Sequence, residues 1–78
     1  MVELTNKQKT CLSLMAKGYS NKEIADKMGI KITTVISHVQ GIYERLSLFL
    51  DDTYGEKTTM RVRAVLWYLK EYKNGKIN

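Results

Sequence analysis

Apolar residues recur along this chain at helical spacing, in four runs parted by glycines or polar residues. In the first run Gln8, Cys11, Leu12 and Met15 share a face, supported by Leu14. Thr5 and Gln8 make a T-x-x-Q capping box at its start, and Gly18 supplies a left-handed stop, so a helix is predicted over 5–17. Ser20 and Glu23 make a second box, S-x-x-E, opening a short helix over 21–28. Its inner face is Ile24, Ala25 and Met28; Gly29 ends it and Ile30 plugs the junction. A short helix, a glycine turn and another helix is the helix-turn-helix plan.

The third run is the longest. Val35, Val39, Ile42, Leu46 and Phe49 alternate steps of four and three, flanked by Tyr43 and Leu50. A helix beginning between Ile32 and Thr34, about 33–51, is expected, roughly 27 Å long, with Thr33 or Thr34 available as an alternative cap. The polar stretch 51–59 (DDTYGEKTT) reads as a loop. A last helix is expected over 59–72, where the segment 62–69 is apolar at every position but Arg63. A helix apolar nearly all round is covered on more than one side, most simply by a second copy of the chain. The expected fold is all-α: one domain, 1–78, of four helices with an extended third helix and a long loop before the fourth.

Composition narrows the function. Thirteen basic residues against eight acidic in 78 give a formal charge of +5 and a polyanionic partner, nucleic acid before membrane. Cys11 and His38 are the only residues of their types, so no zinc site of the usual ligand count can form, and no metal or cofactor is expected. No apolar run approaches a membrane span of about 18 residues, and the start has no signal-peptide core, so the cytoplasm is the default. No nucleophile–base pair or phosphate-cradling glycine loop is evident; an enzyme is not expected. Cys11, on an inner face, reads as a small buried hydrophobe. Asp51, Asp52 and Glu56 lack calcium-ligand spacing and read as a solvated run.

Leu4-Thr5, the run Ser20-Asn21-Lys22-Glu23-Ile24-Ala25, Gly29-Ile30, Thr34-Val35, and His38, Ile42 and Leu46 together resemble the LuxR/GerE-type DNA-binding domain. Arg61-x-x-Ala64-Val65 resembles the start of that family's fourth helix. The resemblance implies a third helix in the major groove, a fourth helix in a two-fold dimer contact, and transcriptional regulation; with Met1 close to its start, the chain resembles stand-alone members. Three departures stand out. Lys31 replaces the usual Ser or Thr cap, Ile36 replaces a frequent basic residue, and the link from Leu46 to Arg61 is longer than the family's short turn.

Positions 36, 37, 40, 41 and 44 lie opposite the apolar stripe of the third helix. They should face outward, and the resemblance implies base contacts at Ile36, Ser37 and Gln40; Gly41, on the same side, is expected to join them. Gln40 can pair with the adenine N6/N7 edge, Ser37 can serve several bases, and Ile36 can pack on a thymine methyl, which together favour A·T pairs. Phosphate contacts are expected from Ser20, Asn21, Lys22, Lys31, Thr33, Thr34, His38 and Arg45. Val62, Val65, Leu66, Leu69 and Tyr72 are the expected homodimer contacts. Tyr54 and its loop are a candidate contact for RNA polymerase or another regulator. The leading expectation is a dimeric, sequence-specific regulator of transcription on double-stranded DNA. Its rivals are a module like sigma-factor region 4 and a protein-interaction module that sequesters a transcription-factor partner.

Overall fold

The computed structural model describes residues 3–47 and 59–71, which form four α-helices: α1 (Asn6–Ala16), α2 (Asn21–Met28), α3 (Ile32–Leu46) and α4 (Met60–Glu71). Both capping boxes close. The Thr5 hydroxyl accepts from Gln8 N at 3.1 Å while Gln8 Oε1 accepts from Thr5 N at 3.0 Å. At α2, Ser20 Oγ accepts from Glu23 N at 3.2 Å and Glu23 Oε1 accepts from Ser20 N at 2.9 Å. Gly29 ends α2 in the left-handed region at φ 67°, where an L side chain is strained, and Ile30 N then donates to Ala25 O at 3.0 Å.

The core lies where the four helices meet. Cys11, Leu12, Ile24, Val35, Ile42, Leu46 and Ala64 are fully buried, with Met15, Val39 and Trp67 nearly so. Burying each large aliphatic among them contributes about 1.5–3 kcal/mol, so the stripe Val35–Val39–Ile42–Leu46 fixes which side of α3 faces inward. From α4, Ala64 and Trp67 go into the core and Met60, Val65 and Tyr68 pack half-buried against it. α4 lies along both α1 and α3. Among the described residues, no helix is long and apolar enough to cross a membrane.

α3 begins at Ile32, within the expected range 32–34: Lys31, in extended backbone, is the N-cap, and its carbonyl accepts from Thr34 N at 3.0 Å and Val35 N at 3.1 Å. Neither threonine caps the helix. Its described span ends at Leu46, with Ser47 as C-cap. The Ser47 hydroxyl donates back to Glu44 O at 2.9 Å and competes for the carbonyl that would continue the helix. The expected continuation over 48–51, the loop residues Asp51, Asp52, Tyr54 and Glu56, and Tyr72 lie outside the described residues.

Candidate nucleic-acid interface

The stripe that buries Val35 and Val39 turns Thr33, Ile36, Ser37, Gln40 and Glu44 outward on the opposite side of α3. Ile36 is 40% exposed, as the spacing implied, and Ile32 one turn earlier is also exposed. Two large apolar side chains thus stand among hydroxyls and an amide on a surface facing solvent. From Ile32 to Tyr43 the helix carries no lysine, arginine or carboxylate; its charges are at the ends, Lys31 before it and Glu44 and Arg45 in its last turn.

Gly41 leaves that row. A Cβ built on it would stand 2.6 Å from Gln8 Nε2, so this side of α3 meets α1 and the position is held by packing. Gln8 is itself buried and committed through Oε1 to the α1 capping box, which limits how far it can retreat.

The expected phosphate contacts sit in two groups. Lys31, Thr33 and Thr34 are exposed at the start of α3, and His38 is half-buried a turn further on. Ser20 and Lys22 are exposed and Asn21 half-buried at the start of α2. Glu23 shares that turn, its carboxyl held below the ordinary range chiefly by the hydrogen bond from the Ser20 backbone, then by the Ser20 hydroxyl. Lys27 lies over the Tyr19 ring, 4.5 Å from its centre. Arg45 is tied elsewhere: its Nη1 donates to Glu3 O at 3.0 Å, which fastens the segment before α1 to the end of α3.

Arg61, in the first turn of α4, reaches the helix-turn-helix directly, a role its R-x-x-A-V spacing does not imply. Its Nη2 donates to Tyr19 O at 2.7 Å and its Nη1 to Asn21 Oδ1 at 3.0 Å, spanning 42 and 40 positions of chain. Burial pushes the Tyr43 hydroxyl above its ordinary pKa, and the Arg61 charge and hydrogen bond act against that rise. Burial likewise raises the Cys11 thiol, with Arg61 again opposing. No local signal could have marked this role, because both acceptors lie in a distant helix junction. Cys11 itself is fully buried.

On α4, Val62 (47%), Leu66 (41%) and Leu69 (38%) are the exposed large apolar residues, at i, i+4 and i+7 along one face. Val65, expected beside them, is half-buried and also packs against the core. Among the described residues, no group of His, Cys, Asp and Glu side chains could hold a metal ion.

Comparison with known proteins fits this arrangement. The oxygen regulatory protein NreC of Staphylococcus carnosus is 42% identical over 45 residues, covering 58% of this chain and 21% of NreC. The response regulator protein VraR is 47% identical over 45 residues, covering 58% of this chain and 22% of VraR, in both Staphylococcus aureus and Staphylococcus saprophyticus. The chain therefore aligns with only about a fifth of the length of these curated relatives. No solved structure matches it. The family described as "Bacterial regulatory proteins, luxR family" matches residues 2–48, which take in α1, α2 and α3 and stop before α4. With more than half its length matched, and with the helix-turn-helix in that part, the chain belongs to the luxR family of bacterial regulatory proteins.

Proposed function

We propose that this chain is a sequence-specific, DNA-binding regulator of transcription that lays the outer side of α3 in the major groove of duplex DNA. The observation that carries the reading is the exposed row Ile36, Ser37 and Gln40 on a helix whose opposite side is fully buried. A rigid helix backed by the core presents those three side chains in fixed register. Gln40 offers a donor and an acceptor to adenine, Ser37 a hydroxyl, and Ile36 an apolar surface for a thymine methyl. With no arginine or lysine between Ile32 and Tyr43, the commonest guanine reader is missing, which favours A·T pairs beneath the helix.

Lys31, Thr33, Thr34 and His38 contact phosphates on one side of the groove, and Ser20, Asn21 and Lys22 those beside α2. Arg45 joins them only through donors not engaged with Glu3. A second copy packs on the α4 face carrying Val62, Leu66 and Leu69, beside Val65, so that two α3 helices meet two half-sites. The cytoplasm, where DNA is accessible, is its compartment. Contact with RNA polymerase or another regulator through residues 51–59 remains a separate proposal.

Selection of binding sites from random duplex DNA tests the reading. A·T enrichment in the positions under residues 36–40 is expected, and G·C enrichment there would refute the assignment. A sequestering module, favoured by the lack of lysine, arginine and carboxylate on α3 from Ile32 to Tyr43 and by the exposed apolar stripe of α4, would give no selected sequence at all.

A further inference from the structure

We propose that Arg61 is a positioning residue for DNA binding: it sets the start of α2 from α4 and so places Lys22 and its neighbours against the DNA backbone. The proposal rests on the DNA-binding reading above. Arg61 holds two acceptors on either side of Ser20, the carbonyl of Tyr19 and the side-chain amide of Asn21, at 2.7 and 3.0 Å. A planar guanidinium can reach both at once from two different nitrogens, which a lysine ammonium on its flexible stem cannot reproduce. The contact also fixes the Asn21 amide, turning Oδ1 toward α4 and Nδ2 away from it.

The placement differs from ordinary packing in what it connects. α2 touches α3 through the core residues Ile24 and Ala25, but its first turn is exposed except for Asn21. Besides the Ser20 cap, Arg61 grips this turn from α4, through the Asn21 side chain. The next residue, Val62, begins the exposed apolar stripe of α4. A partner seated on that stripe would therefore act one residue away from the group that orients the first turn of α2.

The test is a double-mutant cycle read by anisotropy of a fluorescein-labelled random-sequence duplex at low salt, which reports mainly phosphate contacts. Wild type, Arg61→Met, Arg61→Lys, Lys22→Ala, Lys31→Ala and their combinations are compared at a temperature where circular dichroism shows each folded. Arg61→Met is expected to weaken binding by about fivefold or more, and to reduce the effect of Lys22→Ala to less than half while leaving that of Lys31→Ala unchanged. Arg61→Lys keeps the charge but loses the two-pronged grip, so it should resemble Arg61→Met. Amide exchange should speed up at residues 21–24 in both variants, with α1 and α3 unaltered. Binding by Arg61→Lys equal to wild type would reduce Arg61 to its charge, and unchanged exchange at the start of α2 would overturn the positioning role. Were wild type itself not to bind, the DNA-binding reading would fall and this assignment with it; wild-type binding alongside unaffected variants overturns this assignment alone.

Discussion

At the start of α2 the Ser20 hydroxyl, the Glu23 carboxylate and the Arg61 guanidinium together engage amides and acceptors of one turn. At the start of α3, three residues after α2 ends, Lys31 supplies no side-chain oxygen and no side-chain cap hydrogen bond forms. The two helices of one helix-turn-helix thus begin under opposite regimes. α2 is fastened locally and from α4. α3 is held in place further along, by Val35, Val39, Ile42 and Leu46, while its first turn stays open to solvent. On the proposed reading the difference separates stability from recognition: α3 has its anchoring behind its outer side, and Lys31 and the first-turn amides face solvent, where a phosphate would complete the turn.

The largest break in this contrast comes from the clamp. Arg61→Ala strips charged donors from Tyr19 O and Asn21 Oδ1, and is expected to lower stability by about 2 kcal/mol in urea unfolding. Ser20→Ala removes half of the α2 capping box and should cost about 1 kcal/mol, a fall in Tm of roughly 4–8 °C for a domain this size. Lys31→Ser runs the other way. It gives α3 the cap it lacks, so Tm should rise by a few degrees while binding to all duplexes weakens and its salt slope shrinks by about one. A Lys31→Ser chain no more stable than wild type would show that the open start of α3 is not under-capped.

The smallest effect is a pH dependence confined to α2. Glu23 has its folded pKa lowered below the ordinary 4.5, so it is more acidic folded than unfolded. Its contribution to stability is therefore complete above 4.5 and lost as pH falls through the lower folded value. Comparing thermal unfolding of wild type and Glu23→Gln between pH 6 and about pH 3 should show the gap between them closing in acid. A gap constant with pH would disconnect Glu23 from the cap.

What could be read from the chain follows the reach of each interaction. T-x-x-Q and S-x-x-E act across three residues, and Gly29 acts on its own backbone, so these helix boundaries are written locally. The start of α3 is not. The threonines at 33 and 34 suggested a cap by residue preference, but burial of Val35 draws the first turn back onto the Lys31 carbonyl. The apolar spacing out to Phe49 likewise says nothing of Ser47 turning its hydroxyl onto Glu44. Gly41 sits at the margin of the outward row, and only the approach of α1 shows that Gln8 fills the space before it. Arg61 is the furthest from legible, because its partners lie 40 and 42 positions away.

The central claim, that the outer side of α3 reads base edges, is tested most directly at Gln40. Anisotropy titrations of a selected duplex and a scrambled duplex, at one salt concentration, give a specificity ratio for wild type and for Gln40→Ala. The account predicts that Gln40→Ala lowers that ratio by about tenfold, through the selected duplex alone, with scrambled-duplex affinity unchanged. An unchanged ratio, or an equal loss on both duplexes, would contradict it.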